Sequence, residues 1–341
     1  MRSITEGEAV AIRALLASLP TSERRRIRET GLGSRTFERI RKRAYGSGWV
    51  FDRIIPDPSR TGFETIFLVM AQPFAEHLEG IQARWKELPS NVLLWRWPET
   101  VFGVFFSNES QEKFLAGLYL PAGRSETFVV SSPAKRHAIP VYFDFEAAWA
   151  RLTLQRGTLA YPHALPAVAR EDEAPSGKLS ISREKIAGLL ARPVRPGAEN
   201  APLHVSPFFF PRSYQHLLET GLVERRTILD PQKVPPFQGR SIERVAFVQG
   251  ELTSPGTENT LFRMLMAIRV TPFLFASDGS RVLLATLSPA PADPEPLSGR
   301  PPAILGNLRR FLNGIQIVRE PVEALSVVVN HRYDRLFPMA E

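Results

Sequence analysis

Apolar residues stand at helical spacing in the first part of the chain and at strand spacing after it. Val10, Leu15, Leu16 and Leu19 form a stripe that predicts a helix over Glu6–Ser18, ended by Pro20. Thr21 or Ser22 is placed to cap a second helix reaching about Thr30, and Gly31 supplies its stop because glycine tolerates positive φ. Ser34 is placed to cap a third helix, Arg35–Tyr45, on which Phe37, Ile40 and Ala44 share one face. Gly46 and Gly48 break that helix. Trp49-Val50-Phe51 and Arg53-Ile54-Ile55 then predict a short wing hairpin, closed by Pro56 and Pro58.

The pattern next alternates between the two periods. Branched and aromatic runs predict strands at Phe63–Ala71, Val92–Trp97, Val101–Phe106 and Thr127–Ser131. Between them Ala75–Leu88 reads as an amphipathic helix with Leu78, Ile81 and Trp85 inward. Ser110–Leu118 reads as a second helix, with Ser107 or Asn108 near its start. The order is βαββαβ, that of a ferredoxin-like antiparallel sheet with two helices on one face. One set of its aromatics should lie under the helices. The other should form an apolar face covered by a second sheet through Phe273, Phe275, Leu283 and Leu287.

Residues 132–180 read as a linker, with an extended stretch at Pro140–Phe145 and a helix at Glu146–Leu154. The second half then repeats the first at low similarity. A helix is predicted over Ile181–Ala191, and Thr227-Ile228-Leu229-Asp230-Pro231 is similar to Ile54-Ile55-Pro56-Asp57-Pro58. Strand Ile242–Glu251, helix Glu258–Ile268, strands Val270–Ala276 and Arg281–Leu287, helix Ala303–Asn313 and strand Ala324–Asn330 give a second βαββαβ unit. The fold class is therefore α+β: a winged helix-turn-helix plus a ferredoxin-like sheet, repeated as a degenerate second copy. The domains are 1–60, a helix-turn-helix; 61–131, ferredoxin-like; 132–180, a linker; 181–238, a degenerate winged-helix-like unit; and 239–335, a second ferredoxin-like unit.

Charge sharpens this picture. The 341 residues carry a formal net charge of +8 and no cysteine. Residues 1–60 hold 13 Lys and Arg against 7 Asp and Glu, so the excess gathers on the helix-turn-helix. Such a unit with a basic outer face is built to meet double-stranded DNA. The residues expected to do so are Arg24, Arg25, Arg26 and Arg28 on the second helix, towards phosphates, and Ser34, Arg35, Thr36, Arg39, Lys42 and Arg43 on the third. Arg35 and Arg39 lie early enough on the third helix to reach guanine edges. The structural alternative is that Arg41 and Arg43 pair with nearby glutamates such as Glu38. The second half offers no comparable reader, since Ser213–Glu219 carries no lysine or arginine and prolines 202, 207 and 211 crowd the segment before it.

At these residues the chain resembles the Lrp/AsnC family of prokaryotic transcription regulators. Gly31-Leu32-Gly33-Ser34-Arg35-Thr36-Phe37-Glu38-Arg39-Ile40-Arg41-Lys42 looks like that family's turn and recognition helix. The resemblance covers 1–131 and, more loosely, 181–330. It implies a DNA-binding regulator or nucleoid-associated protein, an internal pseudo-dimer of the two halves, association of two chains as a homodimer, and a possible small-molecule effector.

Other functions find less in the sequence. The six histidines, 77, 137, 163, 204, 216 and 331, include no pair at i, i+4, and there is no phosphate loop, Gly-x-Gly-x-x-Gly or nucleophile elbow. Asp144 and Glu146 read as surface charges or a helix cap. No enzymatic activity, cofactor or metal is therefore expected. No apolar run approaches the ~20 residues that span a bilayer, and Glu6 and Glu8 fall where a signal segment would be apolar, so a cytoplasmic location without a membrane partner is expected. Two alternatives stand beside DNA binding. One is a protein–protein module with an acidic partner. The other is a tetrapyrrole enzyme, because the sirohaem decarboxylases resemble this architecture and use histidine and arginine.

Overall fold

The structure is a computed structural model that describes residues 4–16, 27–28, 30–56, 65–120, 123–131, 141–143, 223–230, 232–235, 242–267, 272–289 and 308–329, with the isolated residues 145, 148, 332 and 336. Its elements divide between two units. One contains α1 (Glu6–Leu16), α2 (Ser34–Gly46), β6 (Val141–Phe143), β8 (Ile242–Leu252), α5 (Glu258–Ala267), β9 (Pro272–Ser277), β10 (Arg281–Pro289) and β11 (Leu312–Pro321). The other contains β1 (Val50–Pro56), β2 (Thr65–Pro73), α3 (Ala75–Glu87), β3 (Asn91–Arg96), β4 (Val101–Ser107), α4 (Gln111–Leu118), β5 (Gly123–Ser131), β7 (Val223–Leu229) and β12 (Ser326–Val329).

In the second of these units β2, α3, β3, β4, α4 and β5 follow the expected βαββαβ order. The sheet order is β12-β3-β4-β2-β5, so the four core strands hold the ferredoxin-like arrangement, every pairing antiparallel. Leu78, Ile81 and Trp85 are buried as their spacing requires and pack with Phe67, Leu94, Phe105 and Phe114. Phe67 stacks on Phe114 with centroids 3.9 Å apart, and Trp85 meets Phe105 edge-on at 5.5 Å. The Trp85 indole N–H donates to the Leu118 carbonyl at 3.0 Å, so this buried donor is paired. The opposite face, with Ile66, Leu68, Met70, Phe102, Val104 and Phe106, is buried as well. The cap of α4 is Ser110, whose hydroxyl accepts from the Lys113 N–H.

The second sheet repeats this topology. Its order β11-β8-β10-β9-β6 places four strands as in the first, and α5 covers one face through Leu261, Phe262 and Leu265. Phe275 belongs to that helix-covered core, meeting Phe262 at 5.1 Å, and not to the opposite face where it was expected; Phe273 instead meets Phe145. The β9–β10 turn is tied by Asp278, which accepts from the Ser280 N–H and hydroxyl and from the Arg281 N–H at 2.7–3.0 Å.

Three expectations change here. The fourth strand of the second sheet is β11, not Ala324–Asn330. Its Gly314, at φ 58°, opens a bulge against β8 between Asn313 and Gln316, and in sequence that glycine reads as the end of a helix. Residues 326–329 form β12 instead, at the edge of the first sheet beside β3. The extended stretch near 141 is β6, which pairs with β9 in the second sheet. Each sheet thus takes its fifth strand from the segment that follows the other repeat in the chain.

The wing hairpin is also corrected. Val50–Pro56 is one continuous strand, and it pairs antiparallel with β7, Val50 opposite Leu229 and Arg53 opposite Arg226. The two stretches singled out as similar, near 54–58 and 227–231, therefore contribute to one two-stranded ribbon. The predicted helices at 146–154 and 181–191, most of the helix predicted at 303–313, and the degenerate winged-helix segment before 223 lie outside the described residues, apart from the helical residue 148.

Candidate nucleic-acid interface

α2 is built to present one basic side. Phe37, Ile40, Ala44 and Tyr45 are buried and pack it inward. Burying a side chain the size of Phe37 contributes about 2–3 kcal/mol, enough to fix which side faces out. Arg35, Arg39 and Lys42 stand at i, i+4 and i+7 and are exposed. They make one stripe about 10 Å long on the 1.5 Å rise of a helix. No ion pair holds any of the three among the described residues.

The neighbouring cations are engaged differently. Arg41 is in the pairing anticipated from the sequence, its Nη2 2.8 Å from Oε2 of Glu38. Arg43 turns to Glu8 instead, with Nη1 2.7 Å from Oε1, and its guanidinium lies over the Trp49 ring at 5.2 Å. Glu8 is nearly inaccessible, and its other oxygen, Oε2, accepts from the Thr5 N–H at 2.9 Å while the Glu8 N–H donates to Thr5 Oγ1 at 3.3 Å. This is a capping box at the start of α1. One carboxylate thus both caps α1 and anchors α2. The Thr5-x-x-Glu8 spacing carried that signal, and the sequence reading passed over it.

The turn before α2 matches its expected form in part. Gly31 has φ 66° and donates to the Arg28 carbonyl, while Thr30 Oγ1 donates to the Ile27 carbonyl at 2.6 Å. The cap of α2 is Gly33, without a side-chain bond, and Ser34 is the first helical residue rather than the cap. Glycine at that position leaves the first backbone N–H groups open, and Ser34 is exposed beside them. Arg28 is exposed and Thr36 half-buried. Arg24, Arg25 and Arg26 lie outside the described residues, as do Asp144, Glu146 and every histidine except His77. His77 sits on α3 beside Glu76 at 3.6 Å.

Among the described residues no three His, Asp or Glu side chains are grouped to hold a metal ion. No helix among them is long and apolar enough to cross a membrane.

No family model matches the sequence, and no curated protein does. The structure is similar to the crystal structure of the siroheme decarboxylase NirDL, with TM-score 0.47 and 9% identity over 97% of both chains. It is similar also to that protein in co-complex with an iron-uroporphyrin III analogue, with TM-score 0.44, 9% identity and the same coverage. The likeness is one of fold. The expectation of a chain without enzymatic activity does not stand beside these matches, which are structures of an enzyme, and it is withdrawn.

Proposed function

We propose that this chain is a DNA-binding protein of Lrp/AsnC type that meets duplex DNA through the outer side of α2. The observation that carries the reading is the exposed stripe Arg35–Arg39–Lys42 opposite a buried Phe37–Ile40–Ala44 face. A helix so arranged fits the major groove, where arginine reads guanine edges, while Arg28 and Lys42 meet phosphates. The further residues assigned to the interface are Arg24, Arg25, Arg26, Ser34, Thr36 and Arg43, the last chiefly by orienting the helix. One such helix covers a single half-site, so two chains associate to supply the second reader. Band shifts of a labelled random duplex at rising salt test this. A retarded species that dissolves steeply with salt supports it. The absence of any shift at low salt contradicts it.

A second reading is a tetrapyrrole-processing enzyme, suggested by the identity of the matched structures, one of which holds an iron-uroporphyrin III analogue. It is tested by absorbance titration with siroheme. A saturable spectral shift followed by loss of carboxyl groups supports this reading, and an unchanged spectrum removes it.

A further inference from the structure

The segment that follows β7 returns a lysine to the end of the candidate recognition helix. α2 ends at Gly46, and the chain then turns through Ser47 and Gly48. Gly48 has φ 68°, a conformation that favours glycine. It also lacks the Cβ that would stand 3.2 Å from Cδ and 3.5 Å from Nζ of Lys233. A glycine at this position therefore serves twice: it makes the turn, and it leaves room for the lysine stem to lie against it. Lys233 is exposed as a residue, and its Nζ lies beside Gly48, just past the carboxyl end of α2. Carbonyls at a helix end attract a cation, which gives the ammonium a reason to stay there.

We infer that Lys233 is a phosphate-contacting residue of the same interface, holding the DNA backbone beyond the last turn of α2. The inference rests on the DNA-binding reading. An ammonium is a compact charge with three donors, so it can bond to protein oxygens and still donate to a phosphate. The arrangement divides the work: Arg35 and Arg39 enter the groove, and Lys233 fixes how far along the duplex the helix end sits. The residue lies so far from α2 in sequence that only the fold joins them.

The test compares the unsubstituted protein with Lys233→Gln and Lys233→Arg in fluorescence anisotropy titrations of a labelled duplex across a salt series. Each phosphate contact contributes about 0.9 to the slope of log affinity on log salt. Lys233→Gln should therefore lower that slope by about one, and Lys233→Arg should restore it. If the unsubstituted protein binds and Lys233→Gln keeps its full slope, the inference is overturned while the DNA-binding reading stands. If the unsubstituted protein shows no salt-dependent binding, both are overturned.

Discussion

Arg43 reaches from α2 to Glu8 on α1, placing Nη1 2.7 Å from a carboxylate oxygen that is almost sealed from water. The other oxygen of Glu8 caps its own helix through Thr5. One side chain thus fixes both the start of α1 and the seat of the basic helix. Replacing Glu8 by Ala removes a cap and a charge-assisted bond together, and should cost about 2–3 kcal/mol. Urea unfolding followed by tryptophan emission measures this. A loss below about 0.5 kcal/mol, the range of an ordinary surface substitution, would show that the two helices do not depend on the contact.

Gly103 is demanded by its neighbours and not by its backbone angles. A methyl group on it would meet Phe105 Cε2 at 2.6 Å and Trp85 Cε3 at 3.2 Å. Both rings are fully buried, so neither has space to withdraw. Gly103→Ala should destabilise the first sheet by about 1–3 kcal/mol, the usual range for overpacking. Thermal melting of the variant checks it. An unchanged or raised midpoint would mean that the ring pair is looser than described.

The edge strand β12 offers a test across the length of the chain. Val329 is buried in the core that holds Phe67, Trp85 and Phe114, although these belong to the first repeat. A carboxylate there has no partner and should disfavour the sheet by about 3 kcal/mol or more. Val329→Asp is therefore expected to expose Trp85 and Trp95 to quenching by acrylamide. Unaltered quenching would place residues 326–329 elsewhere.

Asp278 sets an acid limit on the second sheet. Burial works to raise its pKa, but the N–H groups of Arg281 and Ser280, the Ser280 hydroxyl and the Arg281 guanidinium outweigh burial and hold it below the ordinary value. A depressed carboxylate contributes stability that is fully present above its ordinary value of 3.8 and is lost as pH falls through the lower folded value. Stability measured from pH 6 down to about 2 should therefore fall more steeply in the natural chain than in Asp278→Asn. Parallel curves would contradict this.

Much of the fold is written in local periodicity. Phe37, Ile40 and Ala44 on α2, and Leu78, Ile81 and Trp85 on α3, declare their buried sides by spacing alone, and all six are buried. What periodicity does not carry is partnership between distant strands. Val50–Phe51 and Arg53–Ile55 have strand character, but nothing local says that their partner is β7 and not each other. The same holds for β12, whose apolar run is legible while its place beside β3 is not. β11 was missed for a different reason: its bulge is turned by a glycine at positive φ, and Gly314 looks the same in sequence as a helix stop. In the candidate interface the exposed cations followed from helical phase. The Glu8–Arg43 contact and the approach of Lys233 to Gly48 follow only from tertiary packing.

The outer side of α2 is tested most directly by a triple variant, Arg35→Ala, Arg39→Ala and Lys42→Ala, in anisotropy titrations with duplex DNA. These side chains are exposed and hold no ion pair among the described residues, so the fold should melt as before. The account predicts a loss of affinity of at least 100-fold at moderate salt, about 1 kcal/mol or more for each contact, with a shallower salt dependence. Undiminished affinity in a correctly folded triple variant would contradict it.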